Sequence, residues 1–306
     1  MTEVTIQKKK AQVAMPGDIG LVALWYRPDL LQKAGIKEVP ADLSYDTYYQ
    51  MAAEMQKAGT AAFLLPSAGW SWPFEIILSQ TGGSISSLDG TQVTIDDAKG
   101  VQAMNIVKSL WQTKANLDVK WLSPDYWAAV KAGKIAADFM PAWMRGFAES
   151  ELKSEADGLG KWQLAPLPAV KGGVSQTAQI GGASLASTTF SKVPDLVWQF
   201  MVYSLGSMEG CTDVGGWGII PSYLPYLSST NFSSIKSTLF GDFPWTKTWA
   251  TLAPQLSTTY ARTAVFSDAD GLITQDMMPI LDGKVAVDAG MKGLGDKVRQ
   301  ANDRYQ

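Results

Sequence analysis

The chain has 306 residues, 46% of them hydrophobic and 18% charged, with a formal net charge of −3. That composition predicts a packed globular protein of one or two domains, excludes a largely disordered chain, and lacks the basic excess of a nucleic-acid binder. With no histidine and one cysteine, Cys211, it also excludes intrachain disulfides, zinc sites of the usual kind and catalytic pairs built on imidazole.

The opening "MTEVTIQKKKAQVAMPG" is mixed and polar, without the apolar stretch and small-residue cleavage site of a signal peptide. No apolar run approaches the roughly 18 residues of a membrane-spanning helix. Residues 22–26 are continuously apolar, which predicts a strand buried on both faces. Pro28 opens a short helix that Gly35 ends. Ser44 is placed as an N-cap with Asp46 in the first turn, and Tyr45, Tyr48, Ala52 and Met55 then share one face up to Gly59. "AAFLLP" reads as a buried strand. "SAGWSWPFEIILSQTGG" reads as a Trp-rich loop running into a helix that Gly82 and Gly83 stop. Asp96 is expected to cap a helix with Val101, Met104, Val107 and Trp111 inward. Ser123 and Pro124 supply the cap and first position of another, closed by Gly133.

"KIAADFM" is the next strand, and "KWQLAPLPAV" a strand with a proline-rich exit before the turn at Gly172 and Gly173. "AQIGGASLAS" is expected to be one strand with a glycine pair inside it, where a backbone or ligand approaches closely. Residues 192–205 predict a helix with Val197, Phe200, Met201 and Ser204 along its stripe. "GCTDVGGWGIIPSY" reads as a glycine-rich loop. Ile273, Met277 and Ile280 mark one helix, and Val287, Met291, Leu294 and Val298 a last one. Strands alternating with helices predict α/β layers.

Little catalytic chemistry is visible. No loop matches the phosphate-cradling patterns. "DADG" at residues 268–271 begins like a calcium loop but lacks the third acidic ligand and the closing Glu, so no metal and no cofactor are expected. None of the 29 acidic residues stands out as the carboxylate pair of a glycosidase, so no catalytic residue is assigned. Asn231-Phe232-Ser233 fits the glycosylation triplet, a frequent chance pattern. What remains is aromatic, with 12 Trp, 10 Tyr and 10 Phe. Trp70, Trp72, Trp143 (followed by Arg145) and Trp217 fall in loops, where packing and ligand contact are both open readings. Trp111 and Trp198 fall on helix faces and are read as packing.

The order of these pieces resembles a family. "MPGDIGLVALWYRPDLLQKAGI" resembles the segment by which bacterial extracellular solute-binding proteins, the sugar receptors of ABC importers related to maltose- and trehalose-binding proteins, enter their second lobe. "VPADLSYDTYYQMAAEM" is similar to that family's "P.TWDE" helix, and "WAAVKAGKIAADFMPAWMRG" to its "F..GK.AM...G.W" element. "WQLAPLPAVKGG", "IGGASLASTTFSKVPDLVWQFMVYSLGSMEG", "GGWGIIPSY" and "ILDGKVAVDAGMKGLGDKVRQ" resemble the elements that follow, in the family's order, from about residue 13 to the end. Pro141-Ala142 stands where the family usually has glycine.

The resemblance implies an α/β, two-lobed periplasmic-binding-protein-like (type II) fold with the first lobe incomplete. Residues 1–21 and 180–230 would be the remnant of that lobe, and 22–179 with 231–306 the second. It implies a non-enzymatic receptor for a sugar or oligosaccharide, periplasmic or a cell-surface lipoprotein, with ABC permease subunits as partners and no nucleic acid. By this resemblance Trp143 stacks on a pyranose, and Arg145, Asp18 and Asp270 bond its hydroxyls. Gly181, Gly182 and Trp217 come from the other lobe, with Trp70 and Trp72 adding aromatic wall. An incomplete lobe exposes apolar edges, so self-association is expected. The alternatives are a receptor for a polyol, glycerol phosphate or peptide, and a carbohydrate-active enzyme.

Overall fold

A computed structural model describes residues 3–6, 9–65, 70–216 and 218–305. In chain order the strands and helices begin with β1 (Glu3–Ile6), β2 (Lys9–Gln12), β3 (Met15–Pro16), β4 (Leu21–Tyr26), α1 (Pro28–Lys33), α2 (Tyr45–Lys57), β5 (Phe63–Leu64), α3 (Trp72–Gln80) and α4 (Ala98–Gln112). They continue with β6 (Asn116–Leu117), α5 (Pro124–Lys131), β7 (Ala137–Pro141), α6 (Met144–Glu151), β8 (Gln163–Ala165), β9 (Ala178–Gln179), β10 (Ser184–Leu185), α7 (Pro194–Gly206) and α8 (Met208–Gly216). The last are α9 (Leu224–Leu227), α10 (Thr230–Ser233), α11 (Trp245–Leu252), α12 (Phe266–Leu281) and α13 (Val287–Asn302).

The central strand is β4. It pairs antiparallel with β7 along one edge, Val22 opposite Pro141 and Tyr26 opposite Ala137. It also pairs antiparallel with β8 through Leu24–Tyr26 and with β9 through Leu21 and Val22. Side chains alternate across a strand, and both faces of β4 are covered. Val22 and Leu24 enter a core made with α2, α3, α4, α12 and α13. Leu21, Ala23 and Trp25 enter a second core with α5, α6 and α11, rich in Trp127, Trp162, Trp245 and Trp249. Helices on both faces of one sheet are the α/β layering expected from the apolar run at 22–26. Cys211, Ile220, Tyr226 and Leu227, from the 180–230 segment, lie in the second core beside Trp245 and Trp249.

The caps explain where the helices start. Ser44 Oγ accepts from Thr47 N at 3.2 Å and Ser123 Oγ from Tyr126 N at 3.2 Å, each satisfying one orphan N–H. At α4 the capping residue is Asp97, not Asp96: its Oδ1 accepts from Lys99 N and Gly100 N at 2.8 and 2.9 Å. Asp96 instead receives both Arg299 guanidinium nitrogens, at 3.0 and 2.8 Å, tying α4 to α13. The inward residues of α4 are Ala103, Met104, Val107 and Leu110, while Trp111 is half-buried and donates to Asp282 Oδ1 at 3.2 Å.

Three other expectations change. The "AQIGGASLAS" stretch is two strands: Gly181 and Gly182 have φ of +79° and +86°, a left-handed pair that cannot continue an extended chain. It ends β9, and β10 pairs instead with β3. The glycine-rich stretch after residue 208 is helical up to Gly216, as α8. Its small residues serve close packing: a Cβ at Gly210 would lie 2.5 Å from the backbone of Ser204 at the end of α7. The inward residues of α7 are Met201 and Leu205, while Phe200, of the expected stripe, is 62% exposed. Trp198 is exposed as well rather than packed. Among the described residues no helix is long and apolar enough to cross a membrane.

Candidate functional site

The route from β7 into α6 sets the aromatic wall. Strand β7 is buried along its whole length, and the chain turns at Ala142 so that Trp143 opens α6. Trp143 is half-buried and packs at the edge of both cores. Its indole N–H donates to Ile180 O at 2.9 Å, which fixes the ring against the β9–β10 link. Trp72 meets it edge-on at 6.0 Å between centroids, and Phe147 meets it at 6.1 Å. Trp70 is T-shaped on Trp72 at 4.3 Å, and Trp121 approaches Trp72 at 5.1 Å. The run Trp121, Trp70, Trp72, Trp143 and Phe147 is therefore a connected edge-to-face series, the geometry aromatic quadrupoles favour. Phe147 and Trp121 join it without having been singled out in the sequence. Phe147 lies four residues beyond Trp143, one helical turn away.

The glycine pair is placed as a close approach requires. A Cβ at Gly181 would stand 2.9 Å from Trp143 Nε1, and one at Gly182 would stand 3.2 Å from Asp18 O. Asp18 Oδ1 accepts from Ala183 N at 2.7 Å. Desolvation pushes the Asp18 carboxyl above its ordinary range, against that N–H. Ile19 N donates to Ile220 O and Ser222 N to Gly17 O, at 2.8 and 3.2 Å. Three segments, at residues 17–20, 179–183 and 218–222, thus run side by side near Trp143.

Arg145 does not project from this wall. It is 3% exposed, donates to Glu149 Oε2 and Gly215 O at 3.2 Å each, and stacks over Trp245 at 4.7 Å. It anchors α6 to the end of α8 rather than offering a free fork to a ligand. Trp217 lies outside the described residues.

Asp270, on α12, and Glu75 both lie within hydrogen-bond distance of Ser71 Oγ, Glu75 through Oε1 at 2.5 Å, and the one hydroxyl proton serves one carboxylate at a time. Glu75 is 1% exposed. Its Oε2 accepts from Tyr260 OH at 2.7 Å and from Arg262 Nη2 at 3.1 Å. Desolvation, with the Glu75 carboxylate adjoining, holds the Tyr260 phenol well above its ordinary value. Tyr260 and Arg262 line a cavity of about 130 Å³ with Ser79, Gln179, Leu256, Ser257 and Ala261. Gln179 directly precedes Ile180, the acceptor of the Trp143 indole, and Ser71 lies between Trp70 and Trp72. The wall and the polar cavity are thereby supplied by the same loops. Glu75, Tyr260, Arg262 and Gln179 were not anticipated. The available signal was Glu75 itself, an acid inside the apolar run "WPFEIIL", since a buried charge needs a partner.

Among curated proteins, the chain is similar to the arabinooligosaccharide-binding protein of Bacillus subtilis, 24% identical over 196 residues, covering 63% of this chain and 44% of that protein. It is 30% identical over 211 residues to a probable ABC transporter-binding protein of Deinococcus radiodurans, covering 64% of this chain and 48% of that one. A lactose-binding protein of Rhizobium radiobacter is 25% identical over 178 residues, covering 56% of this chain and 40% of that one. The chain thus spans less than half the length of these relatives. Among solved structures, the ABC transporter associated binding protein from B. animalis subsp. lactis, in complex with β-1,6-galactobiose, superposes with a TM-score of 0.80 at 20% identity, covering 99% of this chain and 75% of that one. The sugar-binding protein MalE of Xanthomonas citri does so at 0.76 and 16%, covering 98% and 72%. The fold is the two-lobed, periplasmic-binding-protein-like one, and its curated relatives are named as binding proteins, not enzymes. The sequence profile of the bacterial extracellular solute-binding proteins matches residues 4–208, well over half of the chain, and the chain belongs to that family.

Proposed function

We propose that this chain is the solute-binding part of an ABC importer, extracytoplasmic in the periplasm or at the cell surface, and that its ligand is a neutral sugar or oligosaccharide. The observation that carries the reading is the half-buried Trp143, held by Ile180 O and flanked by Trp72 and Phe147. A flat indole covers the C–H face of a pyranose, and polar side chains take its hydroxyls. Relatives named for arabinooligosaccharides and lactose support the ligand class. In this reading Trp143, Trp70 and Trp72 form the stacking wall. Asp18 and Asp270 accept hydroxyl protons, and Gly181 and Gly182 meet the ligand from the other side. The first lobe draws on residues 1–21 and 180–230 and the second on 22–179 with 231–306, with Leu21, Cys211, Ile220, Tyr226 and Leu227 packing across into the second. The three adjacent segments near Trp143 are the crossovers between them, about which the lobes close on the ligand.

A thermal-shift screen with lactose, arabinotriose, β-1,6-galactobiose and maltotriose, set against glycerol 3-phosphate and a tripeptide, tests this, because a ligand that binds only the folded state raises its melting temperature. A neutral saccharide is expected to raise it. Trp143→Ala is expected to weaken binding of that saccharide about tenfold by calorimetry, the loss of one stacking partner. A shift only with the phosphate or the peptide, or unchanged affinity in Trp143→Ala, overturns the reading.

A further inference from the structure

The cavity of about 130 Å³ beside Tyr260 has room for several water molecules or for the hydroxyl-bearing edge of a sugar. Among its lining residues Arg262 is the charged one. An arginine on a cavity wall ordinarily favours a carboxylate or phosphate, which its planar fork bonds through two nitrogens. Here the guanidinium is already engaged, 3.1 Å from the Glu75 carboxylate and 4.4 Å from the Phe266 ring centroid. Glu75 is in turn fixed by Ser71 and Tyr260, and Ser71 also reaches Asp270. Arg262 is thus paired with a carboxylate that is itself 1% exposed. An incoming anion at the remaining guanidinium N–H groups would meet a cation whose charge Glu75 already offsets, and one that displaced Glu75 would leave a buried carboxylate short of its partner, which is strongly unfavourable. A hydroxyl group imposes no such exchange, because it can accept from the remaining guanidinium N–H groups while the pair stays intact.

We propose that Glu75 is a specificity-determining residue: by pairing with Arg262 on the cavity wall, it sets this part of the site for an uncharged, hydroxyl-bearing ligand and against one carrying a carboxylate or phosphate. The inference rests on the sugar-receptor reading for its ligand class. Its physical content, that Glu75 cancels an anion site, stands apart from it. Discrimination of this kind comes from the repulsive element as much as from the attractive one.

The 306-residue chain and its Glu75→Gln variant are compared in two assays. Calorimetry measures lactose against digalacturonate, and thermal shift measures inorganic phosphate in an otherwise phosphate-free buffer. Wild type is expected to prefer lactose and to show no stabilisation by phosphate. Glu75→Gln is expected to move the ratio of the two affinities about tenfold toward the acid and to gain stabilisation by phosphate. Arg262→Met, which retains Glu75, is expected to move the ratio the other way. A merely structural Glu75 would lower the melting temperature and leave both the ratio and the phosphate response unchanged, which overturns the proposal. If Glu75→Gln does not fold, an unchanged ratio in Arg262→Met overturns it. If neither saccharide binds wild type, the sugar-receptor reading falls, and the phosphate response of Glu75→Gln still decides the role of Glu75: a gain supports it and no gain overturns it.

Discussion

Asp138 lies inside β7, 2% exposed. Its Oδ1 accepts from Leu64 N at 3.2 Å and from Phe139 N at 2.9 Å. Desolvation outweighs those donors and holds its carboxyl well above the ordinary carboxylate value. A folded-state pKa above the unfolded one means that the folded protein keeps a proton the unfolded chain has released. Stability is therefore greatest in acid and declines as pH rises past the unfolded value of 3.8 toward the folded one, by about 1.4 kcal/mol for each unit of separation. Asp138→Asn retains an accepting oxygen and removes the ionisation. Its melting temperature is expected to exceed that of wild type at neutral pH, with the gap closing as pH falls toward 3.8. Parallel melting curves across that range would show that the carboxyl is not responsible. Glu75 is another buried acid, this one with a cation beside it. Nothing near it in sequence gives that away, because Arg262 is 187 positions distant. Trp143 was singled out by its position in an ordered series of segments, and it lies half-buried against the β9–β10 link. Arg145 was misjudged because spacing alone does not reveal that Gly215 and Glu149 occupy its fork.

The β9–β10 link shows how two glycines can end a strand and seat a ring. At Gly181→Ala, φ of +79° strains the backbone, and the new Cβ sits 2.9 Å from Trp143 Nε1. Gly172 is a useful control, with φ of +72° and nothing within 4 Å of its would-be Cβ. Both substitutions should cost about 1 kcal/mol for the left-handed backbone. Gly181→Ala should cost more, and it alone should change the near-ultraviolet circular dichroism of the tryptophans, because it displaces the indole from Ile180 O. Equal losses and unchanged spectra in both variants would mean that the contact does not hold the ring. The same contrast separates what sequence reveals about elements from what it hides. Ser44 and Ser123 were readable as caps because a hydroxyl before a helix has one local job. Asp96 and Asp97 are adjacent acids, and the choice between them is made by Arg299, from the other end of the chain. The glycines of α8 read as loop because their reason, close approach to the end of α7 and to Tyr226, is tertiary.

Helix α7 raises a question about the molecule as a whole. Its sequence "PDLVWQFMVYSLG" is apolar nearly all round, the pattern of a helix covered on every side. One side is covered: Met201 and Leu205 are buried, and Leu205 packs toward Gly17. The other side leaves Leu196, Phe200, Val202 and Tyr203 exposed, and Phe190, just before the helix, is 88% exposed. Strands β3 and β10 beside it form a two-stranded sheet of two residues each. If the chain self-associates, these exposed side chains are the surface available for it. The solved structures that superpose on nearly the whole chain carry about a quarter of their length beyond it. Burying one large apolar side chain is worth about 1.5–3 kcal/mol, and a contiguous patch of several is an association site. This chain alone is therefore expected to self-associate with rising concentration, as light scattering coupled to size-exclusion chromatography would report. Phe200→Asp with Leu196→Asp places two charges on that face without touching Met201 or Leu205, and should return the chain to a monomer with its far-ultraviolet circular dichroism intact. A wild type that stays monomeric at high concentration, or a double variant that associates as strongly, would relieve α7 of that role and require another account of why so apolar a helix leaves one side uncovered.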